Sequence, residues 1–203
     1  MKIICIGRNY SEHAKELNNE VPAEPVFFMK PDTALLLNNK PFFLPGFSNN
    51  VQHEVEVVVR INRLGKHIEE KFAHRYYSEI GLGIDFTARD VQQKCKEKGL
   101  PWEIAKAFDQ SAPLGSFVPI DKLPDKNSIN FELLVNGKPA QKGNTAEMIF
   151  TIDKIIAYVS QFITLKIGDL IYTGTPSGVG PVKIGDRLTG KLEGMLMFDF
   201  NIK

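Results

Sequence analysis

Residues 52–61, Gln52-His53-Glu54-Val55-Glu56-Val57-Val58-Val59-Arg60-Ile61, constrain the fold more than any other segment of the chain. Read as a β-strand, with side chains alternating between faces, Val55, Val57, Val59 and Ile61 line one side, the side His53 shares by parity, and Glu54 and Glu56 the other. A strand with one apolar face needs a sheet beneath it, and other strands are present to build one. Residues 131–135 run into Asn136-Gly137, a type I′ hairpin dipeptide, and continue as Lys138-Pro139-Ala140. Two Lys-Ile-Gly-Asp pieces, 166–169 and 183–186, predict two similar turns, and residues 196–202 predict a closing strand. Helical signals are fewer. Thr87-Ala88-Arg89-Asp90 resembles a capping box, with Gly99 placed to end that helix. Ile152, Ile155, Ile156, Val159 and Ile163 fall on one face of a helix after Thr151, and a short helix is expected over 12–17. The balance is α+β and strand-rich. Without regular βαβ alternation, a doubly wound sheet is disfavoured.

The 203 residues suit a single domain, 1–203, with no linker-like stretch. A net charge of +1 gives no electrostatic reason for a nucleic acid or an anionic membrane as partner. No apolar run approaches a membrane span, and the apolar opening before Arg8 is too short for a signal peptide. Cys5 and Cys95 fit neither a metal knuckle nor a disulfide framework, as expected of a reducing compartment. The expectation is a cytoplasmic protein acting on something small.

The chemistry concentrates in acidic residues. Glu54 and Glu56, with Cβ atoms ~7 Å apart on one strand face, would repel by roughly 2 kcal/mol at an effective dielectric of 20. They are either a solvated outer face or hard oxygen ligands for a divalent ion. Asp85 follows an apolar run containing Gly81 and Gly83 and precedes the expected cap at Thr87. It either accepts hydrogen bonds from a turn or supplies a third ligand, suited to Mg²⁺, with Mn²⁺ or Ca²⁺ also accommodated. His13 and Glu16, three apart, share a face if that turn is helical, forming either a general base with its orienting carboxylate or an incidental surface pair. His67 and His74 sit in polar stretches. The loop 172–181, Tyr-Thr-Gly-Thr-Pro-Ser-Gly-Val-Gly-Pro, can offer N–H groups and hydroxyls to an anion, or is a structural turn. Lys106, in an apolar context, needs an anionic partner or a depressed pKa.

Taken together, GRNYxxHAxE, FMKP, HExE, GxDxTARD, AKxFD and GDxIxTGTPSGVG resemble the fumarylacetoacetate hydrolase superfamily, in its short single-domain branch of acylpyruvases and oxaloacetate decarboxylases. The resemblance implies a mixed β-sandwich roll with a few short helices and a homodimer. It implies a metal site at Glu54, Glu56 and Asp85, a catalytic dyad at His13 and Glu16, and a functional lysine at Lys106. Thr175 takes the place of the family's substrate-carboxylate threonine, and Arg8, Arg89 and Gln92 lie near the substrate.

The implied activity is metal-dependent cleavage of the C3–C4 bond of acylpyruvates, or decarboxylation of oxaloacetate, through a pyruvate enolate. The alternatives are a keto–enol tautomerase or isomerase of 2-oxo or 2-hydroxydienoic acids, and a non-catalytic small-molecule binder. Leu17, Phe28, Trp102 and Phe108 either line a pocket or pack the core.

Overall fold

The computed structural model describes residues 1–16 and 21–203. In chain order the elements are β1 (Ile3–Gly7), α1 (Ser11–Glu16), β2 (Val26–Lys30), β3 (Leu35–Leu36), β4 (Val51–His53), β5 (Val55–Ile61), α2 (Glu70–Ala73), β6 (Tyr77–Ile84) and β7 (Thr87–Ala88). They continue with α3 (Arg89–Lys98), α4 (Glu103–Lys106), β8 (Ala112–Pro119), β9 (Asn130–Val135), β10 (Lys138–Asn144), α5 (Ile152–Phe162), β11 (Leu170–Tyr172), β12 (Gly180–Pro181), β13 (Arg187–Leu192) and β14 (Met195–Asn201).

A seven-stranded mixed sheet runs β2-β1-β11-β5-β6-β8-β3, and a four-stranded antiparallel sheet runs β10-β9-β13-β14. A small sheet, β12-β4-β7, closes one end. Strand β5 lies near the middle of the large sheet and is buried on both faces. Val55, Val57, Val59 and Ile61 pack with Phe131, Leu133, Leu188 and Phe198 of the second sheet. On the opposite face Val58 joins Ile3, Cys5, Leu170 and Tyr172. The alternation read from the sequence therefore holds, but the glutamate face is not solvated: Glu54 and Glu56 are buried. Removing two carboxylates from water demands partners, and those partners form the site below.

Several local expectations are met. The β9–β10 hairpin turns through Asn136 and Gly137, both at positive φ, as type I′ geometry requires. The two Lys-Ile-Gly-Asp turns use the same contacts: Asp169 accepts from Lys166 N at 2.7 Å and Asp186 from Lys183 N at 2.8 Å. Helix α3 ends on Gly99 in the left-handed region. Helix α5 packs Ile152, Ile155, Ile156 and Val159 into the core, with Ile163 just past its end in extended backbone. Strand β14 closes the chain one residue earlier than expected.

The capping box does not form. Thr87 belongs to β7, its hydroxyl donates to Asp85 O at 3.3 Å, and the residue before the helix is Ala88, with no side-chain cap. Asp90 serves a longer-range purpose. It accepts from Ser48 Oγ at 2.6 Å and Asn49 N at 3.0 Å, clamping the 48–50 loop to the helix start. Among the described residues, no helix is long and apolar enough to cross a membrane.

Candidate active site

The β5–β6 pairing builds the centre of the site. Val55 stands opposite Ile84, and the ladder extends one step further, with Asp85 N donating to Glu54 O at 2.8 Å. That register sets Asp85 beside Glu54, while Glu56 faces Gly83 one pair along. One ligand oxygen from each of Glu54, Glu56 and Asp85 lies within 4.8 Å of the others. Gly83 has no substitute here: a Cβ would lie 2.8 Å from Pro113 O and as close to the Tyr172 hydroxyl.

Two buried lysines balance this charge. Lys106, the last residue of α4, places Nζ 2.8 Å from Glu54 Oε2 and 2.7 Å from Asp85 Oδ2. Lys30, at the end of β2, places Nζ 2.7 Å from Asp85 Oδ1 and donates to the Ser111 carbonyl at 2.9 Å. Arg89, the first residue of α3, pairs with Glu54 Oε1 and donates to Gln52 at 2.8 Å and Gln92 at 2.6 Å. Burial alone would lower the pKa of Lys106, but Asp85 and Glu54 outweigh it and hold the value above that of an ordinary lysine. Of the two options for a buried Lys106, the anionic partner is the one realised. Glu56 is shifted upward too, but in a carboxyl this disfavours the charged form. Burial, then the charges of Asp85 and Glu54, push its carboxyl well up, against the Gly174 N–H it accepts at 2.8 Å.

The donor set fits a divalent ion. All three groups are hard oxygens, and buried Asp85 Oδ1, though ion-paired with Lys30, accepts no hydrogen bond from a described residue. Above them lies a small cavity of about 40 Å³, lined by Ile6, Gly7, Arg8, Phe28, Glu54, Glu56, Asp85, Gln92, Lys96, Trp102, Lys106 and Thr175. Arg8 adopts φ 58°, an uncommon conformation for a residue with a side chain. It is supported by buried Asn9, which donates to Phe150 O at 3.0 Å and Thr173 O at 2.7 Å. Gly174, at φ 101°, leaves room for Asn9 against the loop that carries Thr175.

Of the expected site residues, Arg8, Glu54, Glu56, Asp85, Gln92, Lys106 and Thr175 line one cavity, and Arg89 reaches it through Glu54 and Gln92. Glu16 is exposed and accepts from Gly178 N at 3.1 Å, which ties the end of α1 to the 172–181 loop. The His13 backbone lies in α1, but its side chain and all of Leu17 lie outside the described residues. Phe28 and Trp102 line the cavity, whereas Phe108 packs in a separate cleft with Phe47 and Ile104. His67 and His74 are exposed.

Sequence reasoning missed three residues. Lys30 sits inside the FMKP motif, and its only signal is a lysine closing an apolar strand. Lys96 follows Arg89 and Gln92 at helical spacing, a face legible in retrospect. Gln141 arrives from the other sheet. It accepts from Val55 N at 3.0 Å, lies 2.8 Å from His53 Nδ1, and donates to Thr175 Oγ1 at 2.8 Å and Pro176 O at 3.0 Å.

Comparison with known proteins agrees with this architecture. The family described as fumarylacetoacetate (FAA) hydrolase C-terminal matches residues 2–199. The chain is 46% identical over 201 residues to the mitochondrial oxaloacetate tautomerase FAHD1 of Mus musculus, covering 99% of this chain and 91% of that protein. It is 44% identical over 206 residues to the mitochondrial oxaloacetate decarboxylase of Dictyostelium discoideum, covering 100% and 94%. The crystal structure of fumarylpyruvate hydrolase from Pseudomonas aeruginosa in complex with Mn²⁺ and pyruvate superposes with a TM-score of 0.94 at 33% identity, covering 100% of this chain and 89% of that one. The motif order, the mixed strand-rich fold and these matches agree, and the chain belongs to the fumarylacetoacetate hydrolase family.

Proposed function

We propose that this protein catalyses keto–enol exchange of oxaloacetate and similar 2-oxo acids, and decarboxylation from the same site, with a divalent cation held by Glu54, Glu56 and Asp85. The observation that carries this reading is the buried ammonium of Lys106, hydrogen-bonded to Glu54 and Asp85 at the floor of a small polar cavity. A bound divalent ion supplies Lewis-acid charge beside the substrate's 2-oxo oxygen. Lys106, hydrogen-bonded to both carboxylates, serves as positive charge for a developing enolate oxygen. Arg89 is held by Glu54 and Gln52 and is thereby oriented toward the substrate carboxylate. His13, oriented by Glu16, moves the proton at substrate C3. Decarboxylation instead expels C4 as CO₂ and leaves the enolate of pyruvate, with charge developing on the same 2-oxo oxygen, and it needs no proton abstraction.

The likeness to an oxaloacetate tautomerase and an oxaloacetate decarboxylase supports this reading. The Mn²⁺ and pyruvate of the Pseudomonas hydrolase support the cation and the 2-oxo acid. They move keto–enol exchange, second in the sequence reading, ahead of C3–C4 hydrolysis. Hydrolysis of acylpyruvates stays as a second reading because Glu16 is tethered to the loop carrying Thr175, where a base that activates water would belong. The homodimer is kept as a proposal, to be checked by light scattering. The deciding experiment presents oxaloacetate and acetylpyruvate to the protein with Mg²⁺, Mn²⁺ or a chelator, and follows enol absorbance, CO₂ and released acid together. Full activity after exhaustive chelation overturns the metal assignment, and cleavage products without enol exchange promote the hydrolase.

A further inference from the structure

The cavity carries more positive charge than its acids require. Glu54, Glu56 and Asp85 are matched by Lys30, Lys106 and Arg89, each within ion-pair distance of at least one of them. Two further cations, Arg8 and Lys96, line the same cavity, and neither forms an ion pair with a described residue. They are half-buried and share the space above the floor. Lys96 is destabilised as an ammonium, first by burial and then by Arg8 and Arg89. Glu54 offsets part of this, but it is already engaged by Lys106 and Arg89, so an entering anion would find Arg8 and Lys96 without an ion-pair partner among the described residues.

The helix fixes where that anion sits. Arg89, Gln92 and Lys96 fall at i, i+3 and i+7 of α3 and share one face. Lys96 is therefore about 10 Å further along the axis than Arg89, which pairs with Glu54 at the floor. Between the two ends Phe28 and Trp102 offer apolar wall, and Lys96 Nζ lies 5.7 Å from the Trp102 ring centroid.

We propose that Lys96, with Arg8 beside it, forms a second anion subsite that takes the distal carboxylate of a dicarboxylic 2-oxo acid. This rests on the reading of the three-carboxylate floor as the seat of the 2-oxo acid head. It makes the substrate class dianionic and sets acylpyruvates with neutral tails at a disadvantage.

The test uses two inert ligands that share a carboxyl-carbonyl head. N-oxalylglycine adds a distal carboxylate and N-ethyloxamate an apolar tail. Dissociation constants are measured by calorimetry on the full chain with Mn²⁺ present, for the native protein, Lys96→Met and Lys96→Arg. The native protein is expected to prefer the diacid by about tenfold or more, the value of one lost charge-assisted hydrogen bond. Lys96→Met should abolish that preference with N-ethyloxamate affinity within about twofold of native, and Lys96→Arg should restore most of it. No preference in the native protein, or a preference that survives Lys96→Met, overturns the subsite alone. Binding of neither ligand by the native protein with Mn²⁺ overturns the head-group reading as well.

Discussion

Gln141 donates its side-chain N–H to Thr175 Oγ1 at 2.8 Å, a bond that joins the four-stranded sheet to the loop of the site. The amide is satisfied on every side: Oε1 receives Val55 N and His53 Nδ1, and Nε2 reaches Thr175 Oγ1 and Pro176 O. Since Oε1 already accepts from Val55, its contact with His53 requires the proton on Nδ1. Burial lowers the pKa of His53, so the ring is a neutral donor there. Thr175 in turn donates to Val55 O at 2.8 Å. A bulge between Pro139 and Gln141 aims the side chain across the sheets.

Gln141→Leu strips partners from four buried groups. Thermal or urea unfolding should show a loss of about 2–3 kcal/mol. The Michaelis constant for oxaloacetate should rise more than kcat falls, because Thr175 loses its fixed orientation. Unchanged stability would remove the amide network from the account of the site.

Asp85 holds two lysines at once. Asp85→Ala leaves Lys30 and Lys106 buried with one compensating carboxylate fewer, a defect of roughly 3–5 kcal/mol. Glu56→Gln should behave differently, costing the metal-free protein little because burial and the charges of Asp85 and Glu54 disfavour the ionised form of Glu56. Calorimetric titration with Mn²⁺ should show weakened binding in both variants, so stability and cation affinity separate only in Glu56→Gln.

The raised pKa of Glu56 also sets a pH dependence. A carboxyl with a raised folded-state pKa contributes stability that is fully present below its unfolded value and is lost as pH climbs through the folded one. A divalent ion takes the place of that proton, so the rise in Tm on adding Mg²⁺ should grow as pH rises above the ordinary carboxylate range. The growth should flatten in Glu56→Gln. A pH-independent shift in the native protein would count against Glu56 as a ligand.

His13→Ala should divide the activities. Acylpyruvate hydrolysis needs a base for water and should fall ~100-fold or more, and enol exchange should fall with it. Oxaloacetate decarboxylation requires no base and should keep most of its rate. Equal losses in all three assays would show that His13 does not act as the base.

The legible part of the fold is the part encoded by local period and local turns. The alternation at 55–61, the Asn136-Gly137 hairpin and the face of α5 each depend on neighbours in sequence, and all appear where expected. Asp85 was legible through an argument that fails in detail. Thr87 does not cap α3, and Asp85 meets Glu54 because the β5–β6 register carries it there. Lys30 and Gln141 were hidden because their partners lie more than 30 positions away, on other elements of the fold. Lys30, at the end of β2, meets Asp85 just past the end of β6, and Gln141 meets Thr175 34 positions on by crossing between sheets. Charge neutrality gave no hint that five cations and three acids gather in one place.

The parallel pairing of β1 with β11 sets Ile3 beside Leu170, and Lys2 N donates to Asp169 at 2.8 Å. During synthesis the first strand thus emerges long before its neighbour exists, and Cys5 and Ile3 stay without that cover until residue 172 has left the ribosome. Closing so large a loop is slow relative to forming local hairpins. Nascent chains halted before Thr175 should accordingly depend on chaperones, because the large sheet and the loop that lines the site are completed together.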